Sequence, residues 1–295
     1  MARGLALFLT WIAAALGAAP AAALPDDAVE GRFDIGGRAI HLRCQGAGAP
    51  VVVVDAGFGT AAAEDQGWRR IADRIAPVTR VCLYDRAGLG GSDPAAQRPR
   101  TSLDAATDLR SALRRARVPG PYLLVGHSIG GLHAQVFASR FPADTAGLVL
   151  VSSTHPDQTR RWLALLPPAA PGEEKAITEA RALLTSRLAD RGTNAESLDV
   201  SASEDQARAL RSLGAKPLIV ATHSPRFRMV PGLSEPLAVK LEDATQDMQK
   251  GFLSLSSQAR QNIAANAGHG LPHEDPGFVV DNILQGVAAV RSAAR

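Results

Sequence analysis

The stretch Gly126-His127-Ser128-Ile129-Gly130 sets one serine between two glycines, directly after the apolar run from Tyr122 to Val125. A serine hydroxyl is a weak nucleophile until a neighbouring base takes its proton. The G-x-S-x-G spacing suits that chemistry where a strand turns sharply into a helix, because the turn strains the serine backbone, lifts its Oγ clear of the sheet and admits only small residues on either side. Here the strand signal comes before the serine and a helical pattern from Ile129 to Arg140 comes after it. Ser128 therefore reads as a nucleophile rather than a bystander in a tight turn. The helix that follows also aims its amide dipole at the site, which favours negative charge there.

Seven histidines compete for the role of base. His41 alternates along a strand, His133 lies within the helix after Ser128, and the side chain of His127 diverges from that of its neighbour; packing roles suit all three. His269, in Ala267-Gly268-His269-Gly270, follows the last strand on a loop from which it can take the Ser128 proton. His273, four residues on, is the weaker choice. His155, His223 and His273 lack paired-ligand spacing, so no metal set appears. Asp85-Arg86-Ala87-Gly88-Leu89-Gly90-Gly91-Ser92-Asp93 looks superficially like a phosphate cradle, but the next helix starts about ten residues later, where a dinucleotide site wants it at once. It reads as a structural loop at the floor of the cleft, and no cofactor is implied.

The elements that must carry these residues alternate. Gly31 to Ile35 and Arg38 to Cys44 flank Gly36-Gly37 as a β-hairpin. Strands are expected at Val51 to Asp55, Thr79 to Tyr84, Tyr122 to Val125, Leu148 to Val151, Lys216 to Thr222 and Gln261 to Ala265. Helices are expected over Ala62 to Ile75, from the capping box at Thr101 to about Arg117, and over Ile129 to Arg140, Glu204 to Leu213, Leu233 to Leu255 and Gly277 to Ala294. Such alternation implies an α/β fold, a mostly parallel sheet with helices on both faces and ligands beyond the carboxyl ends of the strands. Residues 155–202 break the rhythm with Pro-rich punctuation and no strand signal, and read as a helical cap inserted between core segments 24–154 and 203–295.

A chain of 295 residues, 46% hydrophobic and 21% charged, is long enough for one large α/β domain with an insertion. Residues 1–23 combine Arg3, an apolar run from Leu5 to Leu16 and Ala21-Ala22-Ala23, the pattern of a signal peptide that is removed. Export to the periplasm or beyond is the expectation, with no membrane span once the leader is gone. Removing it takes one arginine and no acid, so the net charge of +3 falls to +2, too mild to argue for nucleic acid. The implied partner is a small-molecule substrate; oligomeric state carries no signal.

With elbow, turn and late histidine in place, the chain resembles the α/β-hydrolase superfamily, in its serine esterase and lipase branch, from Gly31 to the C-terminus. Asp85 to Asp93 is similar to that family's D-R-x-G-x-G-x-S-D turn, and the order Ser128 then His269 matches it. The resemblance implies an eight-stranded sheet and hydrolysis of an ester or related acyl bond (the carboxylic ester hydrolase class, EC 3.1.1). It also implies an oxyanion hole built from the amides of Ile129 and of Phe58, in Asp55-Ala56-Gly57-Phe58-Gly59, where Ala56 replaces the family's usual histidine. The acid is where the chain departs. After the strand ending at Thr222 the family supplies Asp, and this chain has His223-Ser224-Pro225. After the preceding strand it has Ser152, which leaves Asp157 as the nearest carboxylate and Glu235 as the next; Asp157 as a helix cap, or a dyad with no acid, are the alternatives. Trp162, Leu163, Leu165 and Leu166 either line an acyl pocket or pack the cap onto the sheet. The resemblance also makes the second and fourth strands neighbours, which brings Cys44 and Cys82 within reach of a disulfide or leaves them as two buried thiols. The missing acid supports the rival reading, a small-molecule binding protein or receptor on this scaffold with little turnover.

Overall fold

Each apolar run becomes a strand. Val29–Asp34 (β1) and Ala39–Gln45 (β2) form an antiparallel hairpin, its turn closed by the Asp34 carboxylate, which accepts from the amides of Gly36 and Gly37 at 2.9 and 2.8 Å. Val51–Asp55 (β3), Val81–Tyr84 (β4), Tyr122–His127 (β5), Thr145–Val151 (β6), Leu218–Thr222 (β7) and Ala259–Ile263 (β8) pair in parallel. In this computed structural model, which describes residues 28–190, 192–230 and 232–295, they make one eight-stranded sheet ordered β1-β2-β4-β3-β5-β6-β7-β8. The leader expected over residues 1–23 lies outside the described residues.

Nine α-helices occur among the described residues: Gln66–Ile75 (α1), Ser102–Arg115 (α2), Ile129–Arg140 (α3), Gln158–Leu165 (α4), Lys175–Ala189 (α5), Val200–Ala207 (α6), Glu235–Gly251 (α7), Leu271–Glu274 (α8) and Pro276–Ala293 (α9). Strand pleating sorts the core into two layers. Val51 and Val53 of β3 face α2 and α3, meeting Leu109, Leu113, Leu132 and Phe137. Val52 and Val54 face the other way, toward α1 and α9, meeting Trp68, Ile71, Val279 and Ile283. A strand buried on both faces is continuously apolar for this reason, and each fully buried Val or Leu contributes roughly 1.5–3 kcal/mol.

A third apolar cluster joins α4, α5 and α7 through Trp162, Leu166, Leu184, Leu241 and Met248. The Trp162 indole N–H donates to Thr245 at 3.0 Å, so this side chain is spent on packing. Several boundaries differ from those read in the sequence. The helix expected over Glu204 to Leu213 instead starts at Val200, because the Asp199 side chain accepts from the Ala202 amide at 2.8 Å; it unwinds after Ala207 into turns closed by Ala209 and Leu210. The helix expected from Ala62 starts at Gln66, where Asp65 caps the Trp68 amide at 2.9 Å. Cys44 and Cys82 sit opposite each other on β2 and β4 and are joined as a disulfide. Among the described residues no helix is long and apolar enough to cross a membrane.

Candidate active site

Ser128 is the single residue between β5 and α3, with φ 54° and ψ −122°, a left-handed backbone that side chains rarely adopt. The surroundings enforce it. A Cβ on Gly130 would meet the Asp55 carbonyl oxygen at 2.1 Å, and one on Gly126 would meet the Gly131 Cα at 2.4 Å, so the strand and helix approach too closely for any other residue. The half-buried hydroxyl faces the His269 imidazole, with Oγ to Nε2 at 2.9 Å.

His269 is held through its backbone on both sides. The Glu274 carboxylate, on α8, accepts from the amides of Gly268 at 2.5 Å and Gly270 at 3.1 Å, and the His127 Nε2–H donates to the His269 carbonyl at 2.8 Å. His127 therefore ties the base loop to the elbow, a task that its position beside Ser128 did not disclose. Burial pushes the His269 imidazole down to about 3, and the Arg187 guanidinium acts in the same direction, so the ring is neutral at ordinary pH. Burial likewise pushes His127 down to about 4.

The loop after β3 is shaped by a buried guanidinium. Arg86 donates to the carbonyl oxygens of Ala56 and Gly57, both at 2.7 Å, to Asp55 at 2.7 Å and to Glu196 at 2.6 and 2.8 Å. In a planar trans peptide the C=O and N–H point in opposite directions. Turning the Gly57 carbonyl toward Arg86 thus turns the Phe58 amide away from it. The Ile129 amide is the first of α3 and has no partner within the helix. Phe58, Ile129, Ser128 and His269 line one cavity of about 410 Å³, together with Arg187 from α5 and Met229. Glu196 also accepts from the Gly59 amide at 2.7 Å, so the segment between α5 and α6 is bonded to the same loop. Burial opposes ionisation of Asp55 and Glu196, yet His133 and Arg86 hold the first, and Arg86 the second, below the usual carboxylate range. Sequence reading placed Arg86 in a structural turn and missed Glu196, which lies 110 residues away.

The acid expected at Asp157 is not beside the base. Asp157 stands at the N-terminus of α4 without capping it, and its carboxylate accepts from Arg208 Nε at 2.6 Å, with His155 at 3.8 Å. Glu235 starts α7 on the surface and pairs with Arg228 at 2.7 Å. Both carboxylates are drawn to arginines of their own neighbourhood. His269 Nδ1 is buried and has no hydrogen-bond partner among the described residues. At the end of β6, Ser152 takes a second left-handed backbone, φ 39°, and its Oγ lies 2.8 Å from His223 Nδ1 at the end of β7. His223 Nε2 lies 3.0 Å from Glu242 of α7, which also accepts from Gln246 at 2.8 Å. Of the two readings of the apolar cluster, packing is the one observed: Trp162 and Leu166 pack among α4, α5 and α7, with Leu163 and Leu165 against them, and none of the four lines the cavity. A recess of about 640 Å³ between β7, β8 and α9 holds no nucleophile and base, only groups such as Pro217, Gln258 and Arg260. No cluster of metal-ligating side chains occurs among the described residues.

Residues 49–224 match the family model described as alpha/beta hydrolase fold. The uncharacterized protein YqjL of Bacillus subtilis is 29% identical over 252 residues, which cover 85% of this chain and 89% of that one. Among solved structures, a haloalkane dehalogenase loop variant from Bradyrhizobium elkanii is similar over 91% of this chain and 99% of its own, at 16% identity and a TM-score of 0.64. A thermophilic esterase from Thermogutta terrifontis is similar over 88% and 98%, at 20% identity and a TM-score of 0.58. At such identities the likeness to both structures is one of fold. The match over more than half of its length, on a sheet of this order, means that the chain belongs to the alpha/beta hydrolase family.

Proposed function

We propose that this protein is a serine hydrolase that cleaves an ester or related acyl bond of a small molecule through an acyl-Ser128 intermediate. The observation that carries the reading is the 2.9 Å contact between Ser128 Oγ and His269 Nε2 at a strained elbow. In the first step the Ser128 oxygen adds to the substrate carbonyl while its proton passes to His269 Nε2; the oxyanion forms against the amides of Phe58 and Ile129, and His269 then returns the proton to the leaving alcohol. Water repeats the sequence and releases the acid. Residues 155–202 act as a cap over the cavity, whose lining includes Thr159, Leu183 and Arg187 from that segment. The cavity volume of about 410 Å³ suits a small substrate.

A serine at the elbow separates this chain from branches of the fold that use aspartate there. Export of the protein is supported by the Cys44–Cys82 disulfide, which persists in oxidising compartments. The unpartnered His269 Nδ1 favours the second reading, a binding protein with little turnover. A fluorophosphonate probe separates the two. Rapid labelling that disappears in Ser128→Ala supports the enzyme, whereas an unlabelled protein that still binds small molecules supports the receptor.

A further inference from the structure

Three buried polar side chains near the base have no part in the reaction as written. Ser152, His223 and Glu242 are 3%, 1% and 2% exposed, on three different elements, and are joined by hydrogen bonds of 2.8 and 3.0 Å. Building such a row is costly. Ser152 holds a left-handed backbone, and one oxygen of the Glu242 carboxylate is buried without a partner. The His223 ring stands 6.1 Å from that of His269, centroid to centroid and nearly perpendicular at 79°. His269 Nδ1 is itself buried and unsatisfied, as is one Glu242 oxygen at the far end of the row.

The polarity of the row follows from its end. The Gln246 amide N–H donates to Glu242, and a carboxylate that accepts there also accepts from His223 Nε2–H. His223 Nδ1 is then a bare acceptor and takes the Ser152 hydroxyl proton. The Ser152 oxygen is left with free lone pairs, the complement of the His269 Nδ1–H. Every donor points away from Ser128 and toward Glu242.

We infer that Glu242, acting through His223 and Ser152, replaces the missing acid: it fixes His269 in the tautomer with a free Nε2 and stabilises the imidazolium formed when Ser128 is deprotonated. The inference rests on the serine hydrolase reading above. No proton leaves the row; the one that moves goes from Ser128 Oγ to His269 Nε2 and on to the leaving group. The open junction at Nδ1 closes on substrate binding, directly or through one water, as catalytic hydrogen bonds that are long in free enzymes do. All three are positioning residues, since none touches substrate.

The test uses the full protein, a short-chain aryl ester and a fluorophosphonate, with Ser152→Ala, Glu242→Gln and the double variant. Ser152→Ala breaks the row without leaving a buried charge unpaired, so it keeps the proposal testable where Glu242→Gln folds poorly. Each folded single variant is expected to lose at least about tenfold in kcat, less than the roughly 10⁴-fold that loss of a directly bonded acid costs, with KM within about twofold. The double variant is expected to be no slower than the slower single one, because a severed row is severed once. Folded Ser152→Ala with unchanged kcat, or losses that multiply in the double variant, overturns the inference. A parent protein that never labels at Ser128 removes the serine hydrolase reading as well, which distinguishes the two failures.

Discussion

Replacing Glu196 with Gln probes the loop that carries the Phe58 amide. The residue is 5% exposed, and its side chain makes three hydrogen bonds, two from Arg86 and one from the Gly59 amide, at 2.8, 2.6 and 2.7 Å. Hydrogen bonds to charged groups contribute about 1.5–3 kcal/mol each, and removing one partner of a buried ion pair costs about 3–5 kcal/mol. Asp55 still faces Arg86 in the variant, which favours the lower end, about 3 kcal/mol. Against a typical total of about 5–15 kcal/mol this is a large share, readable as a lower urea midpoint at unchanged slope. Turnover should fall as well, because a guanidinium released from Glu196 no longer pins the Ala56 and Gly57 carbonyls; loss of one oxyanion donor costs about 10²–10³ in kcat. The pH dependence has a definite sign. Asp55 and Glu196 have folded pKa values below their unfolded ones, so their stabilisation is complete above the ordinary carboxylate range, about 4, and is lost as pH falls through the lower folded values. The variant should lose less stability than the parent over that acid window. A Glu196→Gln protein as stable as the parent, with the same turnover, would refute the account of the loop.

Two further outcomes follow from the same chain. His127, His155 and His269 are pushed by burial to about 4, 4 and 3, below an unfolded histidine, so stability should be full above about pH 6.5 and decline below it. Each of the three contributes at most about 1.4 kcal/mol per pH unit, and urea midpoints that do not change between about pH 7.5 and pH 5 would contradict their burial as neutral rings. The Cys44–Cys82 disulfide spans a sequence separation of 38, and Cys44→Ala/Cys82→Ala should be less stable by up to roughly 4 kcal/mol on loop entropy. Two titratable thiols in the unreduced, denatured parent would contradict the bridge.

The middle of the sheet was legible because its central strands are buried on both faces and so appear as unbroken apolar runs, as at Val51 to Val54. Ser128 was legible because close approach of strand and helix demands glycine at fixed offsets, and His269 because small residues follow the last strand. What replaces the acid was not. Ser152, His223 and Glu242 come from the ends of two strands and the middle of α7, and Glu242 looks like any acidic residue on an amphipathic helix. The same holds for Glu196, whose partner is 110 residues distant. Helix ends were misplaced where a side chain, Asp65 or Asp199, decided the first turn against the apolar period. Asp157 illustrates the opposite error: proximity in sequence to a strand end does not outweigh an arginine waiting beside it.

The contact of Glu196 with both Arg86 and Gly59 makes the roof of the cavity and its anion trap one mechanical piece. Swinging the stretch around Glu196 outward would strip a buried guanidinium of its counter-ion and disarm the Phe58 amide in the same motion. On the hydrolase reading proposed above, that latch ties any opening of the segment to loss of the oxyanion amide, a cost that favours entry around a closed segment.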